Sequence, residues 1–426
     1  MPIGRVEIAL SKLPVVARVI ERLDSARAES AALYQTHKLF ENDRVEYSER
    51  WLRENQAWIL ANAAAPRIAV SDASRIAMLV TAFNFRSLNN WRPLFDSLIE
   101  SGHSVYTALF PLVSDPDHQG LLDLPYPNLL TVRIDHRFQP IDGDLRSTLS
   151  AFRKAVVGYG IDVVWMSTFH AGPEQHIHEA LRELRRRPVT IGLQHGMRQD
   201  WPLIEGWANK FDLFGTFGPH FYSELSHHFR VRMITCGLPK LDGVPRYERS
   251  GHIRRILFAA QNEPPFEVLQ PFLRELSSTT QAEIVIRPHP ERRNHYGGLS
   301  NEFVLDSAER PIVESLRDVD AMITTGSTAA LESLATGLPT VVLPFCGGEV
   351  YEPAGIVLTK LDPEEVVSIF RLFDDAAFDA RISSFLDSVA GPKGTRTSLS
   401  VGQVERAANL VNQMHALTAS LDRHRA

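Results

Sequence analysis

Three short stretches combine residue types that could bind and move a charged group. The first is Ile284-Val285-Ile286-Arg287-Pro288-His289-Pro290, where an apolar run suited to a buried strand ends directly in a cation, a histidine and two prolines. Pro288 and Pro290 remove backbone freedom, so His289 is held where a phosphate oxygen would need a donor, with Arg287 in support. The plainer alternative is a stiff turn with an ordinary surface histidine. The second is Met322-Ile323-Thr324-Thr325-Gly326-Ser327-Thr328-Ala329-Ala330-Leu331-Glu332. Here a strand runs into a small hydroxylated loop and then a helix, whose first turn carries free N–H groups and a partial positive charge. Ser327 and Thr328 add hydroxyl donors, and simple N-capping by Thr325 or Ser327 is compatible with phosphate binding. Glu332, about a turn into that helix, is placed either to accept from ribose hydroxyls or to sit as a solvated helix residue.

The third stretch is Ile191-Gly192-Leu193-Gln194-His195-Gly196-Met197-Arg198, followed by Asp200 and Glu205. Gly196 frees the backbone beside His195. His195 or one of the two carboxylates could take a proton from an acceptor hydroxyl, with Gln194, Gly196 and Arg198 shaping the acceptor side. A purely structural polar turn is the competing reading. Asn84, Arg86 and His170 follow other strand-like runs and stand at corresponding positions, so they join the acceptor-side candidates. Gly347, Gly348, Glu349 and Glu352 lie on a loop that could close over a donor.

Motifs that would assign other chemistry are missing. The chain has no GxxxxGK[ST] loop, no HExxH, no GxSxG and no GxGxxG after its first strand, so NTPase, metalloprotease, lipase and dehydrogenase readings lack their key residues. No DxD pair stands at a strand end to hold a divalent ion against a diphosphate. Charge neutralisation then falls to Arg287, His289 and the helix start at Ser327, and neither a metal nor a cofactor is expected.

Elements that could position these residues are legible from periodicity. Apolar runs at 76–81, 104–109, 161–166, 189–193, 211–214 and 233–235 read as strands, with helices through Leu98 and Ile99, ending at Gly102, and over 173–186. After a Pro- and Gly-bearing stretch from Pro239 to Gly251, a second set follows. Its strands fall at 255–259, 283–286, 303–305, 321–324 and 339–343, and its helices near 265–277, 311–317, 329–336 and 363–373. A polar helix over 401–421 closes the chain. Strand, helix, strand in this rhythm predicts doubly wound parallel sheets, whose ligands bind beyond the carboxyl ends of the strands. Residues 1–65 differ: rich in Ala, Leu, Glu and Arg, they carry helical stripes at Val15, Val16, Val19, Ile20 and Leu23 and at Trp51, Leu52, Trp58 and Ile59.

With 426 residues the chain is too long for one ordinary core, which implies two domains with additions. Its formal charge of −6 offers no global field for a nucleic-acid backbone, so no nucleic-acid partner is expected. Cys236 and Cys346 form no metal-ligand or CxxC spacing. No apolar stretch has signal-peptide character or spans a bilayer, which predicts a cytoplasmic protein with at most peripheral contact at the inner membrane face.

Over about residues 75–390 the chain resembles the GT-B group of nucleotide-sugar enzymes. Within that group it is most similar to the bacterial surface-polysaccharide branch of teichoic acid glycerophosphotransferases, capsule Kdo transferases and bacterial sialyltransferases. In that branch a His-Pro element and a Ser/Thr pair at a helix start bind the phosphate of a cytidine nucleotide, and His289-Pro290 and Ser327-Thr328 stand in those places. Gln194-His195-Gly196 resembles the acceptor-side strand end. The resemblance implies two Rossmann-like domains facing a cleft. The divisions expected are a helical extension (1–66), an acceptor domain (67–240), a linker (241–252), a nucleotide-donor domain (253–395) and a C-terminal helix (396–426). It implies a metal-independent transferase, His289 with His195 or Asp200 acting in catalysis, that uses a CMP- or CDP-linked donor and a glycan or glycolipid acceptor in surface-glycan synthesis. A UDP-sugar 2-epimerase or hydrolase, or a catalytically silent nucleotide-binding scaffold, is the alternative, and the N-terminal helices are a candidate surface for pairing with a second copy.

Overall fold

The computed structural model describes residues 75–425, apart from 83–87, 112–122, 136–139, 142, 167–173, 183, 185–186, 195, 198–207, 226–230, 249–250, 262–265, 290–301, 308–309 and 346. The stripes expected in residues 1–65 lie outside the described residues. Two fully parallel sheets organise the rest. The first contains β1 (Ala77–Ala82), β2 (Ser104–Leu109), β3 (Asn128–Thr131), β4 (Val163–Met166), β5 (Val189–Leu193), β6 (Leu213–Thr216) and β7 (Arg232–Thr235), in the order β3-β2-β1-β4-β5-β6-β7. The second contains β8 (Arg255–Ala259), β9 (Glu283–Arg287), β10 (Val304–Leu305), β11 (Ala321–Thr324) and β12 (Thr340–Val342), in the order β10-β9-β8-β11-β12.

Both orders reverse direction at one point, between β1 and β4 in the first sheet and between β8 and β11 in the second. At such a switch point the connections leave on opposite faces and open a crevice above the carboxyl ends. β4, β5, β6 and β11 are buried along their whole length, as central strands covered by helices on both faces must be, which is why they read as continuous apolar runs. The two Rossmann-like halves face a cleft.

Helices cover the first sheet at α1 (Arg92–Glu100), α2 (Leu145–Gly158), α3 (Glu174–Arg182) and α4 (Pro219–Leu225). α1 turns Leu94, Phe95 and Leu98 inward and is followed by Gly102 at φ +85°. α2 is started by Asp144, whose carboxylate accepts from the Ser147 N–H at 2.7 Å. The second sheet carries α5 (Phe266–Thr280), α6 (Ile312–Arg317), α7 (Ala329–Thr336), α8 (Pro363–Leu372) and α9 (Ala376–Ala390).

Two expected strand starts move. Asp162 lies outside β4 because its carboxylate accepts from the Ala77 N–H at 2.9 Å, and Asp212 precedes β6 because its carboxylate accepts from the Thr190 N–H at 2.9 Å. The last helix, α10 (Arg396–Arg425), begins earlier than its apolar pattern and crosses back to the first sheet. There the Ser400 hydroxyl donates to the Cys236 carbonyl and the Gln403 amide to the Thr235 carbonyl.

The chain passes between the halves twice, and both passages meet in one polar knot. Asp242 accepts from the Thr397 N–H at 2.8 Å and the Gly394 N–H at 3.0 Å. Arg396 donates to the Gly391 carbonyl at 2.7 Å and lies 3.7 Å from both Asp242 and Asp387. Burial lowers the Arg396 pKa, and the two carboxylates oppose that shift. Close by, Leu238 N–H donates to the Ala390 carbonyl, and Gly218 lies so near the backbone of 388–390 that a Cβ would be 2.3 Å from the Ser388 oxygen. The linkage between the halves is thus close-packed backbone and buried charge.

Candidate functional site

The loop Thr325-Gly326-Ser327-Thr328 leaves β11 at the switch point of the second sheet, where a ligand crevice is expected. Thr324 fixes its base, its hydroxyl donating to the Ala259 carbonyl of β8 at 2.8 Å. Gly326 lies against Gly347: a Cβ there would be 2.4 Å from the Gly347 carbonyl carbon and 2.5 Å from its oxygen. Gly347 itself has φ +94°, and its N–H donates to the Glu349 carboxylate at 2.8 Å. Glu349, on the loop expected to close over a donor, thereby fixes the turn of that loop.

Beyond Gly326 the chain enters α7. Ser327 Oγ accepts from the Ala329 N–H at 3.2 Å, so it caps the helix as the sequence allowed. The Ser327 carbonyl accepts from the Ala330 N–H at 3.1 Å and from the Tyr351 hydroxyl at 2.6 Å. Thr328 makes no side-chain cap bond, and among the described residues no acceptor meets its N–H. Residues 326–329 are half-buried, between the fully buried strand and helix core. An amide and a hydroxyl at one residue of a helix start therefore stay available to an anion.

Glu332 sits deeper than a solvated helix residue. It is 8% exposed and pairs at 3.3 Å with Lys240, from the short 3-10 turn Pro239–Leu241 between the two sheets. Lys240 N–H donates to the Asn90 carbonyl of the first half, so this ion pair ties the donor-side helix to the passage between the halves. Tyr351 is fully buried nearby; burial, and then the negative charge of Glu332, push its pKa up and keep its hydroxyl a donor.

Arg287 takes a different part from the one expected. Its guanidinium donates to Asp306 Oδ2 at 3.0 Å, the Ser307 carbonyl at 2.8 Å, Ser315 Oγ at 2.8 Å and the Arg310 carbonyl. The Arg287 and Asp306 side chains are only 11% and 9% exposed. Arg287 is thus a buried clamp on residues 306–315 rather than a cation presented to a phosphate, and it holds the strand end from which Pro288 and His289 emerge. His289 is half-buried two strands from the Ser327 loop, about 10 Å across the sheet, so the two positions would grip different groups of one extended ligand.

Residues 145–350, a little under half of the chain, match the family model described as "Putative glycosyltransferase (DUF6716)". The matched span runs from α2 through the passage between the halves to the Gly347 loop, so it contains both strand-end regions. No curated protein matches the sequence. Among solved structures, a glycosyltransferase from Rickettsia africae is similar at TM-score 0.55 and 9% identity, covering 78% of this chain and 99% of its own. The glycotransferase of kitacinnamycin follows at TM-score 0.53 and 16% identity, covering 82% and 99%. The UDP-GlcNAc 2-epimerase from Neisseria meningitidis bound to UDP-GlcNAc is similar at TM-score 0.53 and 12% identity, covering 78% and 100%. The chain has the GT-B fold. Within that fold, residues 145–350 are similar to a family described as putative glycosyltransferases.

On the opposite wall of the GT-B cleft, Gln194 follows β5 and is 1% exposed. Its side-chain oxygen accepts from the Phe217 N–H at 3.0 Å and its amide donates to the Gly196 carbonyl at 2.8 Å. Gln194 therefore ties Gly196 to the end of β6, and its amide is engaged within the protein. Met197, 1% exposed, anchors the far side of the same turn. Gly196 is half-buried within it. His195, Arg198, Asp200, Asn84, Arg86, His170 and Pro290 lie outside the described residues. Their strand ends are nonetheless placed: 83–87 and 167–173 follow β1 and β4 at the switch point of the first sheet, and His195 follows β5, next to β4.

Among the described residues no group of three or more His, Cys, Asp or Glu is gathered as a metal would need, and no helix is long and apolar enough to cross a membrane. Tyr351, Lys240 and Asp306 were not singled out by the sequence. Each acts through a partner far along the chain, and only the Glu349–Glu352 loop around Tyr351 gave a nearby signal.

Proposed function

We propose that the protein is a glycosyltransferase that binds a nucleotide-activated sugar with its phosphates on the Ser327-Thr328 helix start. The observation that supports this most is the half-buried Thr328, whose N–H and hydroxyl stand unpartnered at the switch point of the second sheet. His289 donates to the same nucleotide from the end of β9, two strands away, while Glu332, paired with Lys240, supports the helix start from within. Donor groups at these positions stabilise charge building on the leaving phosphate oxygen as the bond from the sugar carbon to that oxygen breaks. His195 or Asp200 takes the proton of the acceptor hydroxyl as its oxygen bonds to the sugar carbon.

A uridine donor is favoured over the cytidine donor expected from the motifs, because the nucleotide named with a similar structure is UDP-GlcNAc. That same similarity supports a second reading, a UDP-sugar 2-epimerase or hydrolase with no separate acceptor. Incubation with UDP-GlcNAc alone separates the two: a new sugar or free UDP favours the second, and an unchanged donor the first.

Ligand-dependent unfolding tests nucleotide binding itself. UDP at about a hundred times its Kd is expected to stabilise the protein by about 2.7 kcal/mol, with CDP and CMP stabilising it less. A larger effect from CMP would restore the cytidine donor, and no response to UDP, CDP or CMP would sink the reading.

A further inference from the structure

We propose that Tyr351 is the positioning residue of the donor site, aiming the Thr328 amide from behind; this rests on the reading that the Ser327-Thr328 loop binds the donor phosphates. Tyr351 lies in the short helical turn Glu349–Ala354, 24 residues after Ser327, and is fully buried with its ring 5.7 Å from that of Phe385. Its hydroxyl donates to the Ser327 carbonyl at 2.6 Å. That carbonyl and the Thr328 N–H belong to one peptide unit, which is planar, and in the trans form they point in opposite directions. Drawing the carbonyl inward to a buried hydroxyl therefore turns the N–H outward, away from the core.

Two neighbours make the arrangement specific. Gly326 lies against the Gly347 backbone, so the segment carrying Tyr351 is packed directly on the phosphate loop. The negative charge of Glu332, itself paired with Lys240 at 3.3 Å, acts on the hydroxyl. The Tyr351 hydroxyl, though close to the Glu332 carboxylate, donates to Ser327 instead. The Ser327 carbonyl keeps its helical bond from the Ala330 N–H when the hydroxyl is removed, so the loop stays folded while its orientation is released.

Tyr351→Phe keeps the ring and deletes only this bond. The test measures binding of UDP and of uridine to the wild type, to Tyr351→Phe and to Phe385→Leu, a variant that loosens the packing around the ring without touching the hydroxyl. Tyr351→Phe is expected to weaken UDP roughly five- to tenfold, the scale of one ordinary intramolecular hydrogen bond, and to leave uridine unchanged. Phe385→Leu is expected to lower stability and keep the wild-type ratio of UDP to uridine affinity. An unchanged ratio in Tyr351→Phe, or an equal change in Phe385→Leu, overturns the proposal while nucleotide binding stands. Failure of the wild type to bind UDP, CDP or CMP overturns the donor-site reading and this inference with it. Should Tyr351→Phe not fold, amide exchange at Thr328 in the wild type decides: slowing by UDP but not by uridine supports an outward-facing amide, and equal rates contradict it.

Discussion

Replacing Gly326 by alanine is expected to abolish nucleotide binding and to destabilise the protein by about 1–3 kcal/mol, the range for forcing an extra methyl into a packed site. The new Cβ would lie 2.4 Å from the Gly347 carbonyl carbon, 2.5 Å from its oxygen and 2.7 Å from its Cα. All three are main-chain atoms, so no rotamer change relieves the overlap. Either the Ser327-Thr328 loop or the Gly347 loop must shift, and both help to set the direction of the Thr328 amide. Gly158 is the contrasting position: nothing lies within 4 Å of a Cβ there. Gly158→Ala is expected to be neutral or to stabilise by about 0.4–1 kcal/mol, since it only restricts the unfolded chain. Urea unfolding and UDP titration of the two variants check both halves of the prediction. Wild-type UDP affinity in Gly326→Ala would show that the loop geometry does not govern the donor site.

The second large effect concerns Arg287. Arg287→Ala is expected to destabilise the protein by about 3 kcal/mol, the lower end for removal of one partner from a buried ion pair, because the Asp306 carboxylate loses its closer counter-ion and keeps only Arg310, at 3.6 Å. With Asp306 9% exposed, solvent replaces little of what is lost. Three further acceptors, the Ser307 and Arg310 carbonyls and Ser315 Oγ, lose their donor at the same time. Asp306→Ala is expected to fall in the same range from the opposite side, leaving a buried cation. Urea midpoints of the two single variants and the double variant measure it, and the double variant is expected to be less damaged than the sum of the singles. A loss below about 1 kcal/mol in Arg287→Ala, with a large loss of nucleotide affinity, would return Arg287 to the role of phosphate ligand.

These two residues show where sequence and structure part company. Gly326 was legible only as a member of the hydroxylated donor loop; the approach to Gly347 that demands a glycine there appears only in the structure. Arg287 was legible as a strand-end cation but misread in direction. Its partner Asp306 lies 19 residues on, and nothing in the intervening sequence signals that β10 brings it alongside. The same distance effect hid Tyr351 and the Lys240–Glu332 pair, whose partners meet only in the folded chain.

At the level of elements, the central parallel strands were plain because burial on both faces demands continuous apolar runs such as Met322-Ile323-Thr324. β3 was missed: it sits at the sheet edge with only Leu129 and Leu130 apolar, both half-buried, so it leaves no periodic trace. α2 was missed because Arg146, Ser147, Thr148 and Ser150 dilute its stripe, although Asp144 supplies a good cap. α10 shows a helical pattern only over 401–421, although a C-terminal helix over 396–426 was expected, because its first turns, Arg396-Thr397-Ser398, serve the polar knot between the halves.

The central claim is that the phosphates of a nucleotide-sugar bind at the start of α7. Hydrogen exchange of the wild type, with and without saturating UDP, tests it most directly. Amides of residues 326–330 are expected to become protected, with Thr328 foremost, and uridine is expected not to reproduce this protection. Binding of UDP with unchanged exchange across 326–330 would place the nucleotide elsewhere and contradict the account.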